Sequence, residues 1–431
     1  MNTKIIDFPA KEVWPELCQR PQIPAQDLDL LVSDIFRSVK LSGDEALLKY
    51  AKLFDGYNGP SLEISQDEID AAAQQVPDAL QDAIRLAASN IERFHSSQVV
   101  EFPKVETAKG VVCWQESRAI ESVGLYIPGG SAPLFSTVLM LGIPAKIAGC
   151  SQVILCTPCD KNGFVDPAIL FAAKLVGITR IFRLGGIQAI AAMTFGSQSV
   201  PTVVKIFGPG NQYVNAAKKK ATDFGVAIDL PAGPSEVLVI ADSSAVPEFI
   251  AADLLSQAEH GSDSQVVLVT TDRAVAEKTL KAINNQIRDL PRREIAEKAL
   301  AASRFIVMDS LENCFAFSNE YAPEHLILSV SEPQKWVGKI VSAGSVFLGN
   351  WSCESAGDYA SGTNHTLPTA GFAKNYSGVS VDSFVKKISF QQISKSGLQQ
   401  IGPAIEVMAE AESLIAHKNA VTIRLKALQN D

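Results

Sequence analysis

The sequence predicts an α/β protein with two Rossmann-like parallel-sheet units, neither with a standard G-x-G-x-x-G turn, flanked by N- and C-terminal helical segments. Three observations predict it. Short apolar runs alternate with helix-length segments from about residue 120 to 350, the pattern of a parallel sheet with crossover helices. Glycine pairs mark three of the strand-to-helix junctions. Residues 1–100 and those after about 380 show helical spacing instead.

The elements follow in order. In "LQDAIRLAASNIERFH", Leu80, Ile84, Ala87, Ala88, Ile91 and Phe94 recur at helical spacing, and His95 beside that stripe reads as structural. "ESVGLYIPGG" is a strand, "SAPLFSTVLMLGIPAKIAG" a helix and "SQVILCTP" a strand. "AILFAAKLVG", "ITRIFRLGG", "IQAIAAMTFG", "VVKIFGPGN" and "QYVNAAKKKATDFG" continue the alternation. A second series begins at "VAIDLPAGPSEVLVIAD" and runs to "SVFLG". These segments divide the chain into an N-terminal helical segment, 1–22; a first α/β domain, 23–125 with 234–379; an inserted second α/β domain, 126–233; and a helical tail, 380–431. The tail's apolar face has no evident home in its own chain, which predicts packing on a partner subunit in a homodimer.

Composition narrows the function classes. A chain of 431 residues exceeds one compact core. Its 47% hydrophobic and 20% charged residues are ordinary for a globular protein. The net charge of -9, without a basic block, argues against nucleic-acid binding. Lys218–Lys220, the one lysine triplet, reads as a solvated helix face. The N-terminus lacks a signal peptide's apolar core, and no apolar run approaches the roughly 20 residues of a membrane span. A cytoplasmic protein away from membranes is expected, with its seven cysteines as free thiols. Cys156 and Cys159 form a C-x-x-C, but it ends a strand-like run with no second pair and no histidine nearby, which argues against a redox or metal role.

Several motifs admit two readings each. The glycines of "YIPGGSAP", "RLGGIQAI" and "IFGPGNQY" either admit a nucleotide phosphate to a helix N-terminus or make tight turns. Gln257 and His260, three apart in "LLSQAEHG", lie roughly 60° apart on a helix, as half a metal site or as a C-terminal histidine capped by Gly261. Asp358 and His365 sit in "WSCESAGDYASGTNHTLPTAG", a glycine-rich stretch read as unstructured; Asp358 completes an oxygen/nitrogen site or makes an Asx turn. Glu412 and His417, five apart, are separated by roughly 140° on a straight helix, so the helix must end or bend if both serve one site. In "YAPEHL", Pro323 stops the preceding helix, leaving Glu324 and His325 on a turn before a strand. A turn histidine suits general-base work; a chance surface pair is the alternative.

Taken together, "DLPAGPSEVLVIADSSAVPEFIAADLLSQAEHGSDSQVVLVT", "YIPGGSAPLFSTVLM", "IFGPGN", "YAPEHL", "GDYASGTNH" and "LIAHKNAV" closely resemble, in order, the histidinol dehydrogenase family. The resemblance covers nearly the whole chain. It implies oxidation of L-histidinol through an aldehyde to L-histidine, the last two steps of histidine biosynthesis, with Zn2+ and two NAD+. By matching positions it implies Gln257, His260, Asp358 and His417 as zinc ligands, and Tyr126, Gln188 and Asn211 as NAD contacts. Ser235 and Glu412, with His325 and the metal ligands, would contact substrate. His325 would take the hydroxyl proton and Glu324 would activate water. It also implies a homodimer in which the tail of one subunit, with Glu412 and His417, completes the other's site. Ser262 and Cys353 stand where relatives often carry proline; both neighbour ligands and are not ligands. A paralogue acting on another polar alcohol is the alternative. One tension remains: ligands in parallel sheets usually lie beyond strand C-termini, whereas Glu324–His325 precedes a strand.

Overall fold

Apolar runs of two to six residues become strands where they can be buried on both faces, and the longer segments between them coil into helices that cover those faces. The computed structural model describes residues 4–21, 28–129, 133–231 and 233–429. Gly130, Ser131 and Ala132 of the first glycine junction, Ala232 of the "LPAGPSEV" block and the boundary expected at residue 22 lie outside them. β1 (Ile5–Asp7) is followed by helices, and β2 (Val105–Ala108) and β3 (Val111–Ala119) form a hairpin. β4 (Ser122–Tyr126), β5 (Gln152–Thr157), β6 (Arg180–Arg183), β7 (Lys205–Phe207) and β8 (Ala227–Ile228) come next. β9 (Glu236–Ala241), β10 (Gln265–Thr270), β11 (Arg304–Val307), β12 (His325–Ser329) and β13 (Ser345–Leu348) form the second series, and β14 (Val385–Ile393) comes last.

The chain divides into two compact units, Met1–Gln98 with Ile120–Ser383, and Val99–Ala119 with Phe384–Asp431. The larger unit holds two parallel sheets. One has the order β6-β5-β4-β7-β8 and the other β1-β11-β10-β9-β12-β13. Numbered within its own series, each reads 3-2-1-4-5, the order of a Rossmann half, with β1 added to one edge of the second. The α/β expectation with two Rossmann-like sheets is met. In β9, Val237 and Val239 pack into one apolar cluster and Leu238 and Ile240 into another, so the strand is buried between two helical layers. Each such aliphatic side chain contributes about 1.5–3 kcal/mol on burial.

The smaller unit is an antiparallel sheet, β14-β3-β2, followed by helices Lys395–Ala411 and Ile415–Gln429. This corrects the expectation of helix throughout 380–431. β14 pairs with β3 from Val385↔Ala119 to Ile393↔Val111, a partner remote in sequence that local spacing does not reveal. Among the described residues no helix is long and apolar enough to cross a membrane.

Candidate active site

The end of helix Leu311–Tyr321 sets up the Glu324–His325 pair. Ala322 adopts a left-handed φ of 53°, Pro323 follows, and the chain turns into β12. His325 is the first residue of β12, opposite Val237 of β9, so it belongs to the strand and not to the turn before it. Both Glu324 and His325 are buried. The Glu324 carboxylate accepts the Glu236 backbone N–H at 2.9 Å, and His325 Nδ1 lies 3.2 Å from the Glu236 carbonyl. In the neutral ring that contact makes Nδ1 the donor and leaves the Nε2 lone pair free. Nε2 is buried without a hydrogen-bond partner and lies 3.6 Å from Asp358 Oδ1. Glu236 is itself held: its carboxylate takes two 2.9 Å bonds from Arg20, whose guanidinium lies 3.8 Å from the centre of the Tyr321 ring.

The charges here are strongly coupled. Burial pushes the Glu324 carboxyl up to about 8, against the pull of His325. Burial lowers the His325 pKa, but the Glu324, Asp358 and Glu354 carboxylates outweigh it and raise it to about 10 in the metal-free chain. Asp358 is held below the usual carboxylate range: His325 and the other imidazoles outweigh its burial.

Asp358 does not lie in unstructured chain. Helix Glu354–Tyr359 carries it, and Gly357 lets that helix approach β13, since a Cβ there would come within 2.7 Å of the Phe347 ring. Glu354 and Asp358, four apart, share a helix face. Glu354 is buried; Ser256 donates to one carboxylate oxygen at 2.7 Å, and the other has no partner and lies 3.8 Å from His325 Nδ1. Helix Pro247–Ala258 supplies Gln257, buried with an unpartnered Oε1, and ends two residues before His260. His260 therefore sits on a following turn, its N–H 3.3 Å from the Gln257 carbonyl. Gly261 is not left-handed and does not cap in that way. Although His260 meets solvent on one side, desolvation by its surroundings lowers its pKa and favours the neutral ring a metal needs.

Ligand atoms of His260, Glu354 and Asp358 lie within 4.8 Å of one another. With the orphaned Gln257 oxygen, this set of nitrogen and oxygen donors fits a divalent transition metal such as zinc. Glu412 and His417 belong to the smaller unit. There the helix does end between them: Lys395–Ala411 stops, Ser413 takes a φ of 61°, and a new helix starts at Ile415.

The second group of predicted contacts gathers at the C-terminal edge of the five-stranded sheet. Tyr126 ends β4; its hydroxyl accepts the Gly186 N–H at 3.1 Å, and burial pushes its pKa up to about 12. Gln188 is buried with Oε1 unpartnered. Asn211 caps helix Gln212–Thr222, its Oδ1 accepting from Tyr213 and Val214, which leaves its amide NH2 for a ligand. Gly208 has a φ of 130°, and a Cβ on it would stand 2.1 Å from the Tyr126 carbonyl oxygen, so only glycine fits this turn. A cavity of about 740 Å³ holds Tyr126, Asn211 and Gly186; another of about 510 Å³ holds Asn211, Ser235 and His260, and Pro128 and Asn211 line both. The cavities thus run from the edge of one sheet to His260 of the candidate ligand cluster.

A family model described as Histidinol dehydrogenase matches residues 18–425. The chain belongs to the histidinol dehydrogenase family. It is 56% identical over 426 residues to a histidinol dehydrogenase of Bacteroides fragilis, covering 99% of this chain and 100% of that one. It is 53% identical over 416 residues to that of Salmonella typhimurium, covering 96% and 95%. The crystal structure of histidinol dehydrogenase from Elizabethkingia anophelis matches with a TM-score of 0.98 at 59% identity, covering 99% of each chain. Membership makes the chain an oxidoreductase of amino-acid biosynthesis.

For this histidinol dehydrogenase family member, the structure adds residues that sequence reasoning missed. Glu354 is the foremost; its i, i+4 spacing to Asp358 was the available signal. His365 spans from Thr137 Oγ1 (3.1 Å) to the Asp358 carbonyl (2.9 Å) and so holds the Asp358 backbone. Lys218, read as solvated, is buried in a 2.5 Å ion pair with Asp229, which also accepts the Gly208 N–H and braces that turn. His95 is structural as expected, buried against the Ile91 carbonyl and Asn364. Cys156 and Cys159 are free thiols whose pKa values burial raises.

Proposed function

We propose that the chain is a zinc-dependent histidinol dehydrogenase that oxidises L-histidinol to L-histidinaldehyde and then to L-histidine, consuming two NAD+. The observation that carries the chemistry is His325: Nδ1 faces a backbone carbonyl and Nε2 is unpartnered beside the candidate ligand cluster. In the first oxidation His325 takes the hydroxyl proton at Nε2 while hydride leaves the carbinol carbon for the nicotinamide. In the second, Glu324 removes a proton from water as the water's oxygen bonds to the aldehyde carbon, and the hydrate anion so formed would give up hydride to the second NAD+, leaving the carboxylic acid. Burial of Glu324 makes its carboxylate more basic than an exposed one, which suits that task.

Gln257, His260 and Asp358, with His417, would hold zinc, which supplies a Lewis-acid anchor for the substrate's imidazole and amine and no redox chemistry. Ser235 lines the same cavity as His260 and would touch substrate, as would Glu412. Tyr126, Gln188 and Asn211 would hold NAD+. We place His417 and Glu412 at the partner's site in a tail-exchanged homodimer. In support, helix Ile415–Gln429 buries no residue, and Val407, Met408, Leu414, Ile415 and Ile423 are all exposed. A cytoplasmic setting accords with the free thiols. The test is NADH yield per L-histidinol, with and without a chelator. Two NADH, lost on chelation, are expected; one NADH, or none, would overturn the reading.

A further inference from the structure

A Rossmann half ordinarily reads the adenosine ribose with an acidic residue beyond its second strand. In the five-stranded sheet that strand is β5, and Asp160 stands three residues after it. Asp160 is already committed: Oδ1 accepts the Asn162 and Phe164 N–H groups, both at 2.8 Å, and Oδ2 lies 3.4 Å from the Asn162 amide. Asp166, a second carboxylate on the 740 Å³ cavity, caps helix Pro167–Val176 through the Ala168 N–H at 2.8 Å. The third is Asp55, which comes from Ala51–Asp55, a helical turn outside the sheet. Its Oδ2 is buried and has no hydrogen-bond partner.

Asp55 meets the cavity at the turn after β6. A Cβ on Gly185 would lie 3.4 Å from Asp55 Oδ1, and a Cβ on Gly186 would lie 3.2 Å from Gln188 Oε1, the other orphaned acceptor of this region. Two adjacent glycines therefore bring two unsatisfied acceptors to one turn. Among the described residues no lysine or arginine lines the cavity, and nearby Arg183 spends its guanidinium on Gly163, Glu63 and Glu68. A ligand seated here meets acceptors in want of donors and no cation for a phosphate monoester. Pro128, Pro158, Phe54 and Phe164 add apolar walls suited to a flat heterocycle.

We propose that Asp55 reads the adenosine ribose of the dinucleotide, accepting its hydroxyl protons and repelling a 2′-phosphate, and so makes this chain select NAD+ over NADP+. The proposal rests on the NAD reading above. It leaves the shared Pro128–Asn211 side as the route by which the nicotinamide reaches the cavity containing His260.

The test is calorimetric titration of the zinc-loaded protein, wild type, Asp55→Asn and Asp160→Asn, with NAD+ and with NADP+. Loss of a charge-assisted hydrogen bond and of the repulsion should cut the wild-type preference for NAD+ roughly tenfold or more in Asp55→Asn, through weaker NAD+ and stronger NADP+ binding. Asp160→Asn should leave the ratio unchanged, as should the zinc content and melting temperature of both variants. Should Asp55→Asn not fold, Asp55→Ser, neutral but still an acceptor, carries the same comparison. A folded Asp55 variant with the wild-type ratio overturns the proposal. Wild-type protein that binds no NAD+ overturns the cofactor reading itself.

Discussion

Replacing His325 with glutamine isolates the proton-transfer role. Gln cannot accept a proton at neutral pH, yet it is polar and can still reach the Glu236 carbonyl that His325 Nδ1 faces at 3.2 Å. General-base catalysis typically contributes 10²–10⁴-fold, which is about 3–5 kcal/mol of barrier. Substrate is still bound by the remaining residues, so the loss should appear in kcat far more than in KM. The ring sits within 4 Å of Glu324, Glu354 and Asp358, so a neutral replacement makes the cluster no less attractive to a cation. Zinc content should therefore hold. The assay is single-turnover NADH formation from L-histidinol, with metal measured on the same sample. A rate loss under about tenfold, or stoichiometric loss of zinc, would refute the assignment of Nε2 as the base.

Further outcomes follow from the same geometry. Glu324→Gln should slow oxidation of supplied L-histidinaldehyde more than that of L-histidinol; equal slowing on both would remove Glu324 from the water step. Glu354→Gln should weaken zinc about tenfold or more, as loss of a metal-site neighbour does, measured by dye competition; unchanged affinity would place Glu354 outside the site. Gly208→Ala sets a Cβ against the Tyr126 backbone at an unfavourable φ, and should cost about 2–5 kcal/mol in urea unfolding; a cost below about 1 would contradict the contact. The metal-free protein should melt at lower temperature at pH 9 than at pH 6. Folding raises the Glu324 pKa from 4.5 to about 8 and that of His325 from 6.5 to about 10, so across this window the unfolded chain holds fewer protons and stability falls as pH rises. A higher melting temperature at pH 9 would reverse the sign.

The parts of the molecule legible in the sequence were those with local signals. Alternating apolar runs and helices from Ser122 to Leu348 announced both parallel sheets; the spacing of Gln257 and His260 put them on one helix face, but only the family resemblance cast them as ligands. β14 did not, because "VKKISFQQI" is mostly polar and its partner β3 lies more than 260 residues earlier. Glu354 hid in a helix of six residues that its serine and glycine made look like loop. Lys218 hid for want of any local sign of Asp229. The puzzle of an acid–base pair preceding a strand also resolves. β9 and β12 are the switch-point strands of the second sheet, and at their C-terminal ends the Asp242 carboxylate is taken up by Ser244 and Ser331. Glu324 and His325 lie at the opposite end, which is where the proposed chemistry is set.

The grip of Glu324 and His325 on Glu236 bears on how the sheet keeps its alignment. β9 and β12 are buried on both faces, so "EVLVIA" could slide one residue against "HLILS" and still meet oil on every side. Apolar pattern alone is a poor ruler for such strands. The two polar contacts to the backbone of a single residue, Glu236, are a better one: a one-residue slip breaks both and strands two buried ionisable groups. The residues proposed to move protons thus also act as the notch that sets strand β12 against strand β9, and a chain that misaligned there would lose its proposed reactive centre and its alignment mark together.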